Sequence, residues 1–347
     1  MSMEWPVRGD WLAQVREAPL EPGLPIIDAH HHLWRLPHDT YLLDDFLADA
    51  DPARGGHNIV ASVFAECGAM YRPDGPAELR SIGEVEFANG VGAQAASGAF
   101  GSVRACAAIF GSADLMLGER VGEVLDLHIA RAPERYRGIR PIVCADPHGA
   151  LDPWPSAPPD MMESAAFRAG ARELERRGLS LDIWVFHHQL DQVAKLAAAL
   201  PGLTLVLDHI GTPLGMGWYA DRRVEVFAAW QAGLATVAQQ PNVMLKLGGL
   251  NMHFNGFAWH GRSLPPTSDE LAAANEPYYA AAIELFGPAR CMFESNFPMD
   301  KRACSYGVLW NAHKKMAAGF SDEEKRLMFH DVAARAYRIQ GLAEAAT

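Results

Sequence analysis

Eight short apolar runs, each followed by a longer stretch of helical periodicity, constrain this chain more than any other feature. The runs are Pro25–His31, Asn58–Glu66, Val103–Phe110, Tyr136–Ala145, Leu179–Phe186, Leu203–His209, Val243–Gly248 and Arg290–Glu294. They are rich in Val, Ile and Leu and nearly continuous in hydrophobicity, as expected of strands buried on both faces of a parallel sheet. Helical spacing covers Ala77–Ser97, Arg120–Ala132, Ser164–Arg177, Leu190–Leu200, Arg222–Gln239 and Ser268–Leu285, then Val308–Ala318 and Asp322–Ile339. Ser321 before Asp322-Glu323-Glu324 reads as an N-cap with an acidic first turn. Eight strand–helix units in order predict an α/β fold, the parallel (β/α)8 TIM barrel, since right-handed crossovers close such a sheet at eight. A length of 347 residues suits one such barrel. It is placed at 25–342, with an N-terminal extension at 1–24 and a tail at 343–347. An open doubly wound sheet would carry a glycine-rich loop after its first strand, and Asp28–Trp34 contains no glycine.

Charge and cysteines narrow the partners. A formal net charge of −12 argues against nucleic acid or an anionic membrane surface. No run of about 18 apolar residues marks a membrane span. The five cysteines, Cys67, Cys106, Cys144, Cys291 and Cys304, are widely spaced and form no CxxC, which fits reduced thiols in a cytoplasmic protein. The start, MSMEWPVRGDW, lacks the basic and apolar regions of a signal peptide.

Ionisable residues gather at the ends of the predicted strands. The first ends in Asp28, His30 and His32, which strand alternation sets on one face. Glu66, Arg140, His187-His188, Asp208-His209, Lys246 and Glu294-Ser295-Asn296 follow on later strands. Singly, a strand-end His or Glu is equally well explained by a hydrogen bond to a loop. Together they define a site, because a barrel does not collect so many buried charges at its mouth without pairing or use. The loops Ala145–Asp160, Gly211–Tyr219 and Asn251–Pro266 would rim that end. Tyr71 and Arg72 would lie on a covering loop, and Trp34, Trp184, Trp218 and Trp259 are candidate walls. Glu84 and Glu86 read as acids favouring a helix start.

IIDAHHHLW, YLLDDFLAD, RYRGIR, LVLDHIGTP, VMLKLGGL, CMFESNFPMDK and the closing FHDVAARAYRI occur in order from Ile26 to Leu342. In this layout the chain resembles the amidohydrolase superfamily, in the branch with 2-pyrone-4,6-dicarboxylate hydrolase, L-fuconolactonase and sulfomuconolactonase. The resemblance implies a hydrolase of a small acidic or sugar-derived lactone, with no organic cofactor. His30 and His32 match the family's first-strand pair, His209 its sixth-strand His, and Arg140 a fourth-strand Arg that holds an acidic substrate group; His187 sits where the fifth strand supplies a further His. Two departures stand out. Pro141 replaces a frequent His, and Asn296 stands where relatives carry an Asp. Asn cannot serve as a base, so Glu294, about 6–7 Å deeper on the same strand face, is assigned as water activator, with Asp300 as a second candidate. His30, His32, His209 and Glu294 would form a zinc site, or the imidazoles would polarise the carbonyl without metal. His187 and Lys246 are candidate proton donors. Arg140, Arg72, Lys246 and Asn296 are assigned to substrate binding, the two arginines by a fork on a carboxylate. A metal-dependent decarboxylase of an aromatic acid is the alternative that Asn296 argues against; a ligand-binding barrel without activity is the other.

Overall fold

Alternation of side chains along each apolar run decides the architecture. In the computed structural model, which describes residues 6–37, 39–150, 152 and 156–341, the runs form eight parallel strands. They are β1 (Ile26–His31), β2 (Ile59–Ala65), β3 (Arg104–Gly111), β4 (Tyr136–Ile139), β5 (Ser180–Ile183), β6 (Leu205–Leu207), β7 (Val243–Leu247) and β8 (Cys291–Phe293). Each pairs with the next in chain order. One set of alternate residues, such as Ile59, Phe64, Leu205, Leu207, Leu245 and Phe293, packs outward under the helices. The other set, Ile27, Ala29, Ala61, Val63, Ala65, Ala108, Phe110, Val206 and Met292, packs together with Tyr337 of the C-terminal segment. The second set fills the barrel interior, so the barrel is a packed core and not a pore.

The seam between first and last strands closes just beyond β8. Asn296 N donates to His30 O at 2.9 Å and His32 N to Phe297 O at 2.7 Å. Asp28 fastens this seam from outside: it accepts from Ser295 N (2.8 Å), Ser295 Oγ (2.6 Å) and Tyr306 Oη (2.9 Å). The expectation that Asp28, His30 and His32 share a face therefore fails. The register of β1 shifts between Asp28 and His31, and this irregularity turns His30 inward while Asp28 stays at the seam. His31 stacks on Phe46 instead.

The observed strands are shorter than the apolar runs. β4 stops at Ile139, β5 at Ile183 and β6 at Leu207, where the chain leaves the ladder to aim side chains across the mouth. The helices over Ile82–Ala96, Val121–Arg131, Ala165–Arg176, Leu190–Ala199, Arg223–Ala238, Ser268–Phe286 and Tyr306–Met316 match the periodicity closely. Ser321 caps as expected, its Oγ accepting from Glu324 N at 3.3 Å. The predicted helix from Asp322 to Ile339 is interrupted by one widened turn at Leu327–Asp331, which sets Phe329 on Phe293. Residues 6–24 lie against the barrel's outer helices: Glu17 accepts from Ser268 N (2.7 Å), and Lys314 donates to the carbonyls of Leu20 and Glu21. The first five residues, Leu342 and the predicted tail at 343–347 lie outside the described residues. All five cysteines are free. Among the described residues no helix is long and apolar enough to cross a membrane.

Candidate active site

The site is assembled from the C-terminal ends of β1, β4, β6, β7 and β8. His30, His209 and Glu294 are all buried, and one ligand atom from each lies within 4.8 Å of the others. Glu294 Oε1 accepts from His209 Nδ1 at 2.6 Å, and its Oε2 stands 3.1 Å from His30 Nδ1. The backbone is shaped for this. His209 and Ile210 adopt φ of 52° and 49°, and Asn296 a φ of 54°. Left-handed geometry is costly for a β-branched residue such as Ile210 and marks a turn held by its surroundings.

Two glycines that sequence reasoning passed over make the room. A Cβ on Gly248 would overlap Glu294 Cγ, and one on Gly249 would come within 2.5 Å of His209 Nδ1. Their signal was visible as the pair ending VMLKLGGL, since a glycine after a strand marks close approach of another group.

Below this triad lies a layer of buried charge. Lys246 Nζ reaches Asp208 Oδ1 at 2.9 Å, Asp182 Oδ2 at 3.4 Å and His30 Nδ1 at 3.2 Å, and sits 4.3 Å from the Phe110 ring centroid. Burial pushes its ammonium down, but Asp182, Asp208 and Glu294 outweigh this and hold it above its ordinary value. Asp182 is pushed up to about 7 by burial, with Lys246 opposing, and it also accepts from Tyr337 Oη at 2.6 Å. Where the sequence suggests a proton donor or substrate ligand, Lys246 Nζ is committed to Asp208, Asp182 and His30 and forms a charged floor under His30. Asp182 and Tyr337 were missed because a lone acid within an apolar run and a tyrosine in a helix give no signal singly.

Arg140 is likewise engaged. Its Nε donates to Glu66 Oε1 (2.8 Å), its Nη2 to Glu66 O (2.7 Å), and its Nη1 lies 3.2 Å from His30 Nε2 and 3.5 Å from Asp208 Oδ2. The fork assigned to a substrate carboxylate is directed at protein groups. Arg72 is 39% exposed and forked on Glu86 (3.3 and 2.5 Å), outside this cluster. Glu84 lies in the first turn of the helix Ile82–Ala96, as expected, but it is buried and accepts from Cys67 N (3.0 Å) and Ala69 N (2.9 Å), fixing the loop after β2.

His32 stands outside the triad, on the far side of His30. Its Nδ1 meets Ala65 O at 3.0 Å, which as an N–H donor leaves Nε2 as a lone pair, 3.2 Å from His30 Nε2. Burial, with neighbouring cations and imidazoles, holds His30 well below its ordinary value, so the ring is neutral with a single N–H. Whichever ring nitrogen carries that proton, the other has a donor: Arg140 Nη1 lies 3.2 Å from Nε2 and Lys246 Nζ 3.2 Å from Nδ1. Glu294 Oε2, by contrast, is a buried carboxylate oxygen with no hydrogen-bond partner among the described residues, and a bound cation would engage it. Two imidazoles and a carboxylate are also the donor set of a catalytic zinc site. The residues therefore fit a divalent metal.

The remaining assignments separate. His187 is buried near Tyr219 (ring centroids 5.4 Å), and burial pushes it down to about 4, so it is neutral and a poor acid at pH 7. Asn296 Nδ2 lies 3.4 Å from Asp300 Oδ1. Asp300 is pushed well above the usual carboxylate range by burial first and Glu294 second, which favours its protonated form and removes it as a base. Of the tryptophans, Trp184 lies beside His209 (6.2 Å) and Trp34 on His32 (5.7 Å).

A parallel barrel whose strand ends focus two imidazoles and a carboxylate on one point defines a barrel hydrolase. The amidohydrolase family model matches residues 27–339, and the chain belongs to that family. It is 33% identical over 338 residues to an uncharacterised protein of Sinorhizobium fredii, covering 91% of this chain and 99% of that one. It is 31% identical over 185 residues to an L-fucono-1,5-lactonase of Burkholderia multivorans, covering 53% of this chain and 60% of that enzyme. Among solved structures it is similar to an amidohydrolase of Burkholderia multivorans with bound HEPES, at 25% identity and a TM-score of 0.69, over 91% of this chain and 99% of that one.

Proposed function

We propose that the protein hydrolyses a small lactone, with Glu294 as the group that activates water. The observation that carries this reading is the carboxylate of Glu294, oriented by His209 and His30 at the mouth of the barrel. The similarity to an L-fucono-1,5-lactonase supports the reaction class.

Ester hydrolysis requires an activated water, a stabilised carbonyl oxygen and a protonated leaving oxygen. The Glu294 carboxylate takes a proton from water as the water oxygen bonds to the lactone carbonyl carbon. The tetrahedral centre then breaks its bond to the ring oxygen, and the Glu294 carboxyl returns the proton to that oxygen. Water is consumed and an open hydroxy acid leaves. His209 holds Glu294 in place throughout, and Lys246 and Arg140 fix His30 beneath the reacting atoms. A divalent ion held by His30, His209 and Glu294 supplies Lewis-acid polarisation of the carbonyl when bound.

A hydrolysis screen over sugar lactones, muconolactones, pyrone carboxylates and alkyl lactones, read by acid release with a pH indicator, tests the class. Turnover of at least one lactone is expected. A barrel that turns over none of them, while still binding them, contradicts the reading.

A further inference from the structure

We infer that the preferred lactone is uncharged and carries an apolar substituent, alkyl or aryl, that packs on a wall formed by β2 to β7. The inference rests on the lactonase reading and names the substrate class of the same site.

The wall is built stave by stave. After β2, Met70 and Tyr71 are 39% and 38% exposed. After β4, Ile142 is 58% exposed and bridges in parallel to Trp184 after β5. Trp184 is half-buried, donates its Nε1 to Thr212 Oγ1 at 3.0 Å, and packs edge-on 6.2 Å from the His209 ring. Phe254, after β7, is buried and backs this surface from beneath, 5.8 Å from Trp184. Apolar side chains therefore stand open after β2 and β4, and Trp184 carries the second of these to the imidazole that holds Glu294. A large aliphatic side chain left open at a strand end of the catalytic face costs solubility and exposes area that a ligand's apolar surface would cover.

The two arginines that would pair with a substrate carboxylate are engaged by Glu66 and Glu86. Releasing Arg140 for a substrate would leave Glu66 buried without its cation and Asp208 with Lys246 alone. His187 is neutral and adds no positive charge. A carboxylated lactone would therefore find neither Arg140 nor Arg72 free to replace its lost hydration.

The test uses the full chain, with Ile142→Ser and Ile142→Arg. Ile142 is exposed, so both variants should unfold at the same temperature as the parent. Substrates are a hexyl-substituted δ-lactone, a phenyl-substituted γ-lactone, a pyrone carboxylate and a sugar lactone. The parent should show kcat/KM for the hexyl and phenyl lactones roughly tenfold or more above the other two. Ile142→Ser should raise KM for the apolar pair with kcat nearly unchanged, and Ile142→Arg should improve kcat/KM for the pyrone carboxylate. Preference for the carboxylated or sugar lactone, or KM values indifferent to residue 142, overturns the inference and leaves the lactonase reading standing. No turnover of any lactone overturns both.

Discussion

Single residues in this site are legible by type but not by partner. His30, His209 and Glu294 stand out from the sequence because ionisable groups at strand ends need a reason to be there, and the structure brings these three together. What spacing could not reveal is how the cations are spent. Arg140 and Lys246 look like substrate ligands when their partners, Glu66 and Asp208, lie 74 and 38 residues away in the chain. Once those partners are seen, both cations become parts of the scaffold. Lys246→Met should therefore destabilise the protein rather than merely weaken substrate binding. It leaves Asp182 without its lysine and Asp208 with only Arg140, 3.5 Å away, at a cost of about 3–5 kcal/mol, measurable by denaturant unfolding. A Lys246→Met protein of parental stability would place this lysine outside the charged floor.

Elements were predicted well in kind and poorly at their ends. Every predicted strand and helix exists because burial on both faces and helical spacing are strong, local signals. The ends of β4, β5 and β6 were overrun because the chain stays apolar past the last ladder bond, where it turns to present Ile142, Trp184 and His209. The shift in β1 that separates Asp28 from His30 is a pairing property, set by β2 and the seam, and no local pattern encodes it. The glycine pair after β7 shows how an element end serves chemistry. Gly248→Ala should push Glu294 out of position, because the new Cβ meets Cγ and also the Glu294 backbone oxygen at 2.8 Å. The expected result is a loss of about 1–3 kcal/mol of stability with a disproportionate fall in kcat. A fall in stability with unchanged kcat would show that Glu294 need not sit where it does.

The whole molecule should carry its site into a characteristic pH response. Six histidines outside the proposed metal-ligand triad, His31, His57, His128, His187, His253 and His313, are pushed down to about 3 or 4, chiefly by burial. Unfolded, each would take a proton near pH 6.5. The unfolded state thus binds more protons between pH 6.5 and 4, so stability is complete above about 6.5 and is lost as pH falls toward the folded values. Five buried acids oppose this: Asp28, Asp182 and Glu84 are pushed up to about 6, 7 and 8 by burial, and burial raises Glu66 and Asp300 as well, so each loses stability as pH rises from about 4 toward its folded value. With His32 also pushed down by burial, seven imidazoles outweigh five acids below pH 6.5, and just above it the acids dominate. Thermal unfolding should show a Tm maximum near pH 6.5–7, with a drop of roughly 5 °C or more by pH 5. A flat profile between pH 5 and 7 would contradict the neutral buried state of these rings.

The central claim is that the strand-eight carboxylate performs the work that an Asp two residues later would otherwise do. It is tested most directly by steady-state kinetics of Glu294→Gln on the best lactone from the screen, with parental folding checked by circular dichroism. Gln keeps the size and hydrogen bonding of the side chain but cannot accept the proton from water. The account predicts a fall in kcat of about 10²–10⁴-fold with KM little changed. A Glu294→Gln enzyme that retains the parental kcat would contradict it.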